Sequence, residues 1–211
     1  MCEKVSMKAL FAVSFCCFLT GLHPAQLCAT ENLWFREDFT ETPPEVPVQQ
    51  KHLSNPDLIL KRLGPSEDKI KRSFHVNKPG DPHYVWSGLC TKTWAIAFEE
   101  KKQPANLSKS GKVRWRTKQG ADRVLHVILK SPKDGWLVSD KGTPASKNWI
   151  VSEINLTACQ WYKLDIETIT KGELVKKPDL TAVQIIGCSD LKPGGRSKAC
   201  SRLDWFEVYG D

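Results

Sequence analysis

Apolar residues in this chain recur at every second position, and no stretch of adequate length keeps a helical period. The clearest case is Lys112 to Lys118. Val113, Trp115 and Thr117 fall on one face, and Arg114, Arg116 and Lys118 on the other. That alternation predicts a strand with one wet face. Gln119 to Asp122, with Gly120, reads as a hairpin turn, and Arg123 to Lys130 as the returning strand. A second turn at Ser131 to Gly135 leads into a strand from Trp136 to Val138. Thr93 to Glu99 is rich in β-formers and reads as a buried strand. Asn55-Pro56-Asp57 makes a turn before a strand carrying Leu58, Leu60 and Leu63, which Gly64-Pro65 ends. Two further candidates, NWIVSEINL and QWYKLDIETI, are split by Thr157 to Cys159, and a Pro178-Asp179 turn precedes Val183 to Gly187.

The chain closes on ACSRLDWFEVYGD, which alternates to its end. Strict period two sends Leu203, Trp205 and Glu207 one way and Asp204, Phe206 and Val208 the other. A final strand this apolar has to be covered and paired, so a central position beside the first strand is expected. With roughly nine to eleven strands at regular spacing, the expected fold is an all-β jelly-roll β-sandwich.

Three regions are expected. Residues 1–29 have Lys4 and Lys8, an apolar run from Ala9 to Leu19, then Gly21, Pro24, Ala25 and Ala29, the layout of a signal peptide. The run is short for a bilayer span, and Leu27 before Cys28 fits a lipoprotein site poorly. Residues 30–52 read as an N-terminal arm, with a short aromatic strand from Leu33 to Phe39 followed by Pro43, Pro44 and Pro47. Residues 53–211 form the sandwich. A secreted or periplasmic location follows, with no membrane span after signal cleavage.

Loss of Lys4, Lys8 and Glu3 with the leader takes the net charge from +7 to +6. Lysines are spread among acids with no long basic block, so no nucleic-acid partner is expected. Cys90, Cys159, Cys188 and Cys200 remain if Cys28 leaves, and an even count in an exported chain predicts disulfides. Cys188 with Cys200, or Cys90 with Cys200, are the pairings considered. No C-x-x-C unit or clustered His points to a metal, and no cofactor is expected.

The segments WYKLDIETI, PDLTAVQIIGCSDL and SRLDWFEVYG resemble the last three strands of galactose-binding-like jelly rolls, the fold of many carbohydrate-binding modules. The longer series NPDLILKRLGP, DPHYVWSGLC, VRWRTKQ and DGWLVSD resembles an uncharacterised family of secreted bacterial proteins, which brings no activity with it. The first resemblance implies the fold, not sugar binding.

Eight tryptophans are the chemical signal. Trp94, Trp115 and Trp205 lie within alternating strands and are assigned to the core. Trp86, Trp136 and Trp149 sit in turn-like contexts and are candidate stacking platforms for sugar C–H faces. Arg114 and Arg116 can clamp a carboxylate or hydroxyls, and Asp140 is placed to complete the site. The expected function is a non-catalytic module for a glycan or cell-surface polysaccharide. One alternative is a hydrolase resembling the 3-keto-disaccharide hydrolases, for which Asp165 and Glu167, ~7 Å apart on one strand face, are the candidate carboxylates. The other is a structural envelope-interaction protein whose tryptophans are all core. His126, mid-strand, is expected to be a satisfied or surface histidine.

Overall fold

In a computed structural model, which describes residues 32–75, 77 and 81–211, the expected all-β jelly-roll β-sandwich is what forms. The predicted signal peptide lies outside the described residues. The strands are β1 (Leu33–Glu37), β2 (Leu58–Leu63), β3 (Lys71–Ser73), β4 (Tyr84–Trp86), β5 (Ala95–Glu100) and β6 (Lys112–Gln119). They continue as β7 (Val124–Ser131), β8 (Gly135–Pro144), β9 (Ile150–Asn155), β10 (Trp161–Asp165), β11 (Thr170–Val175), β12 (Ile185–Ser189) and β13 (Ser201–Tyr209). One sheet has six strands, in the order β3-β4-β13-β6-β9 with β1 also on β13; the other has seven, β11-β10-β8-β7-β12-β5-β2. Every pairing between these strands is antiparallel.

The inner faces of both sheets meet on an aromatic cluster. Phe206 of β13 lies 6.1 Å from Phe35 of β1, 5.7 Å from Trp115 of β6 and 5.5 Å from Phe98 of β5, centroid to centroid. The first three belong to the six-stranded sheet and Phe98 to the other, so this contact holds the layers together. Residues 32–52 enter the body itself: β1 pairs with the last strand, and Phe35, Phe39 and Val48 are buried. Buried Glu37 accepts backbone N–H bonds from Phe39, Ser54 and Asn55, which pins the segment after β1 to the chain before β2.

Part of the outer face of the seven-stranded sheet is also covered, by the chain itself. Ala95, Ala97, Ile128 and Val138 form a second apolar cluster with Leu164 and Ile169 of the β10–β11 hairpin. Thr93 donates its hydroxyl to the Thr168 carbonyl at 2.6 Å, which fastens that turn down. Gly64 lies beneath it at φ +85°, and a Cβ there would stand 2.4 Å from Ile169. Among the described residues no such apolar cluster covers the outer face of the six-stranded sheet, the open face of the sandwich.

Three sequence expectations are corrected. Gln119 to Asp122 is not a hairpin, because β6 and β7 belong to different sheets and the turn carries the chain across the sandwich. In β13 the alternation breaks at a bulge between Leu203 and Trp205. Leu203 is buried with Phe206 and Val208, while Trp205 faces outward over the sheet and is not core. Cys90, Cys159, Cys188 and Cys200 are all free thiols. Each of three meets a nearby backbone carbonyl: Cys90 that of Ser66, Cys159 that of Asn155 and Cys200 that of Ser197. Cys188 is buried mid-strand. Burial pushes Cys90 up to about 12 and Cys159 to about 11, and raises Cys188 as well, so these thiols are poor thiolates.

Phe206→Ala removes the ring common to the cluster. It is expected to cost about 3–5 kcal/mol of unfolding free energy in chemical denaturation. A loss near that of a surface change, about 0.5 kcal/mol, would show that the layers are held elsewhere.

Candidate functional site

The strand β6 carries the face that its sequence predicts. Val113, Trp115 and Thr117 are buried, and Lys112, Arg114, Arg116 and Lys118 project outward. Register with β13 sets Lys112 against Tyr209, Arg114 against Glu207, Arg116 against Trp205 and Lys118 against Arg202. The bulge residue Asp204 accepts a bond from Arg116 at 2.7 Å. Glu207 is bonded by Arg36, and Arg114 lies 3.7 Å away on its other oxygen. Asp204 and Glu207 were expected on opposite faces; the bulge brings both to cations of the outer face.

Indoles and guanidiniums interleave here. Arg36 and Arg114 lie 4.6 and 5.7 Å from the Trp205 ring centroid. Arg116 lies 5.5 Å from that of Trp149. Trp149 reaches from the start of β9 to Tyr84 of β4, edge to face at 5.3 Å. Trp86 rests one side of its ring on Gly88, where a Cβ would come within 2.0 Å, and lines a cavity of about 260 Å³ with Tyr84, Lys71 and Arg202. The charges are largely self-contained. Asp38 and Glu207 hold Arg36 above its usual range, the hydrogen bond to Asp38 contributing most. Burial pushes the Asp204 carboxyl up, against the pull of Arg116.

The six expected site residues do not converge. Trp86, Trp149, Arg114 and Arg116 share the outer face of the six-stranded sheet. Trp136 and Asp140 lie on β8 in the other sheet. Trp136 packs against the apolar cluster under the β10–β11 turn, and Asp140 accepts the backbone N–H groups of Gln160 and Lys141 at 2.7 and 2.9 Å. Arg114 and Arg116, read as a clamp for a ligand carboxylate, face the protein's own Glu207 and Asp204. Lys71, Tyr84 and Arg202 join the face without having been singled out, and Trp205, expected in the core, joins it as well. Arg202 was legible as a cation near the last strand, but its direction depends on where the bulge falls.

The carboxylates considered for hydrolysis are exposed. Asp165 accepts the backbone N–H groups of Glu167 and Thr168, which closes the hairpin turn. The Thr168 hydroxyl, and then these two backbone groups, lower its pKa, opposite to what a general acid requires. His126 is satisfied, with Nδ1 3.0 Å from the Ser139 carbonyl.

Fold and face together define a jelly-roll β-sandwich with one aromatic, cationic sheet face. No protein-family profile matches the chain, and no curated protein matches it. Among solved structures it is similar to a family 11 carbohydrate-binding module from Clostridium thermocellum, in complex with a β-1,3-1,4-mixed-linked tetrasaccharide. Identity is 13%, coverage is 81% of this chain and 98% of that one, and the TM-score is 0.47. The family 11 module of a cellulosomal cellulase of the same organism gives 13%, 82%, 97% and 0.49. The fold and face described above stand on this chain's own strand pairing.

Asp204 gives a pH signature. Its folded pKa lies above the ordinary 3.8, so the stability it contributes is full below that value and is lost as pH rises through the raised folded value. Asp204→Asn removes this slope. Its stability relative to wild type should therefore rise with pH across that window in denaturant titrations. A difference independent of pH there would show that Asp204 is not desolvated as the structure places it.

Proposed function

We propose that this protein is a secreted, non-catalytic carbohydrate-binding module, and that the glycan lies on the outer face of the six-stranded sheet. The observation that carries the reading is the position of Trp86 and Trp149 on the sheet face that the described residues leave open, with guanidiniums beside them. Sugar rings offer flat C–H faces to indoles and hydroxyls to charged hydrogen-bonding groups. A flat, pre-formed strand surface loses little conformational entropy on binding. Trp86 is held by Gly88 and Trp149 by Tyr84, so both platforms are rigid before a ligand arrives. Export supports the reading through the leader-like sequence of residues 1–29, which would deliver the module to a surface polysaccharide.

The test is binding to a panel of soluble polysaccharides by affinity electrophoresis. Trp86→Ala and Trp149→Ala should each weaken the retardation seen with wild type by about tenfold or more, roughly 1.4 kcal/mol. Trp136→Ala, on the other sheet, should bind as wild type does. No retardation of wild type on any polysaccharide, or loss only in Trp136→Ala, would refute the proposal.

A further inference from the structure

The cations of the open face fall into two groups. Arg36, Arg114 and Arg116 are matched by Asp38, Glu207 and Asp204. At the other end of the same face the matching stops. Lys118 stands directly opposite Arg202, Arg202 opposite Trp86, and Trp86 opposite Lys71, a row across the four adjacent strands β6, β13, β4 and β3. The row spans ~14 Å at ordinary strand spacing. None of Lys71, Lys118 and Arg202 has a carboxylate partner among the described residues; Lys71 lies 5.8 Å over the Trp86 ring, and Arg202 lines the same cavity as Tyr84.

Two cavities open on this row. One, of about 460 Å³, is lined by Lys118, Lys147, Ser146 and Arg202. The other, of about 260 Å³, is the one lined by Trp86, Tyr84, Lys71 and Arg202. They share Arg202 and Ser197, and no Asp or Glu lines either among the described residues. Like charges facing each other across strands are destabilising. A protein that neutralises every other guanidinium of this face leaves this end uncompensated, and an anion bound here would relieve that repulsion.

We propose that this row and its two cavities take the acidic sugar units of a carboxylated or sulfated polysaccharide, an inference that rests on the glycan-binding reading of the same face. Trp86 supplies the stacking surface, and Arg202, between the cavities, is placed to offer its planar fork to a carboxylate or sulfate. Lys71, Lys118 and Lys147 supply further positive charge around it. The acidic group of such a sugar is attached directly to the ring that stacks, which suits an indole and an arginine on adjacent strands. A nucleic-acid duplex needs a longer basic track, and here the acids at Asp204 and Glu207 end it.

The experiment measures binding of the full chain, by calorimetry or affinity electrophoresis, to polygalacturonate, its methyl ester, dextran sulfate, dextran and double-stranded DNA. Polygalacturonate or dextran sulfate should bind at least about tenfold more tightly than its uncharged counterpart, and binding should weaken as salt rises. The stronger of the two tells carboxylate from sulfate. Arg202→Gln and, separately, Lys118→Gln should reduce that preference and its salt dependence; Lys147→Gln does the same from a loop should either strand variant misfold. Equal binding to charged and uncharged polymers by wild type, through Trp86 and Trp149, overturns the acidic class and leaves the glycan reading intact. Binding to no polysaccharide overturns both. Tighter binding to DNA than to either acidic polymer overturns the proposal in favour of a nucleic-acid surface.

Discussion

Along its whole length β13 is paired with β6, while its opposite edge is shared between β4 and β1. A strand hydrogen-bonded on both sides and buried on one face has no freedom of register. It fixes Phe206 against Phe98 of the other sheet, and it fixes which residues of β6, β4 and β3 stand in one row outside. The bulge between Leu203 and Trp205 divides the strand at this junction. Before it, Arg202 faces outward beside Trp86; after it, Trp205 does so beside Arg36 and Arg114. Under strict alternation with Leu203 inward, Trp205 would follow it into the core and Phe206 would turn outward, so the bulge keeps each ring on its own side.

The two sheet faces then diverge in fate. One is partly covered by the β10–β11 hairpin, whose Leu164 and Ile169 complete a second apolar cluster. The other stays open, because β6 presents long cations at every second position and the strands beside it present indoles and carboxylates. Half of that charge is used to hold the face together, through Asp38, Asp204 and Glu207. The remainder lies over two cavities that no acid lines among the described residues. A rigid aromatic surface and unspent positive charge thus occur on the same strands for a simple reason: period-two geometry aligns them, and the acids paired with the face, Asp38, Asp204 and Glu207, gather at one end.

Period two made β6 legible residue by residue, and it placed Arg114, Arg116 and Lys118 correctly. The same rule failed in β13, since a bulge adds one residue without any compositional mark: Ser-Arg-Leu-Asp-Trp carries no glycine to announce it. Gln119 to Asp122 looked like a hairpin because turn chemistry is local, whereas membership of a sheet is decided by which partner strand arrives. Trp136 resembled Trp149 in sequence, each beside turn residues, yet one packs under a hairpin and the other lies over an open sheet. An even count of cysteines suggested bridges, but pairing needs proximity and direction: three of these thiols meet separate carbonyls, and Cys188 is buried mid-strand. What remained hidden was the row from Lys71 to Lys118, which joins four strands distant in sequence.

The most direct measurement is an NMR titration that follows the indole N–H resonances as a bound polysaccharide is added. Shifts confined to Trp86, Trp149 and Trp205, with Trp94, Trp115, Trp136 and Trp161 unmoved, are the result the account predicts. Movement of the Trp136 resonance while those of Trp86 and Trp149 stay fixed would place recognition on the opposite sheet and contradict it.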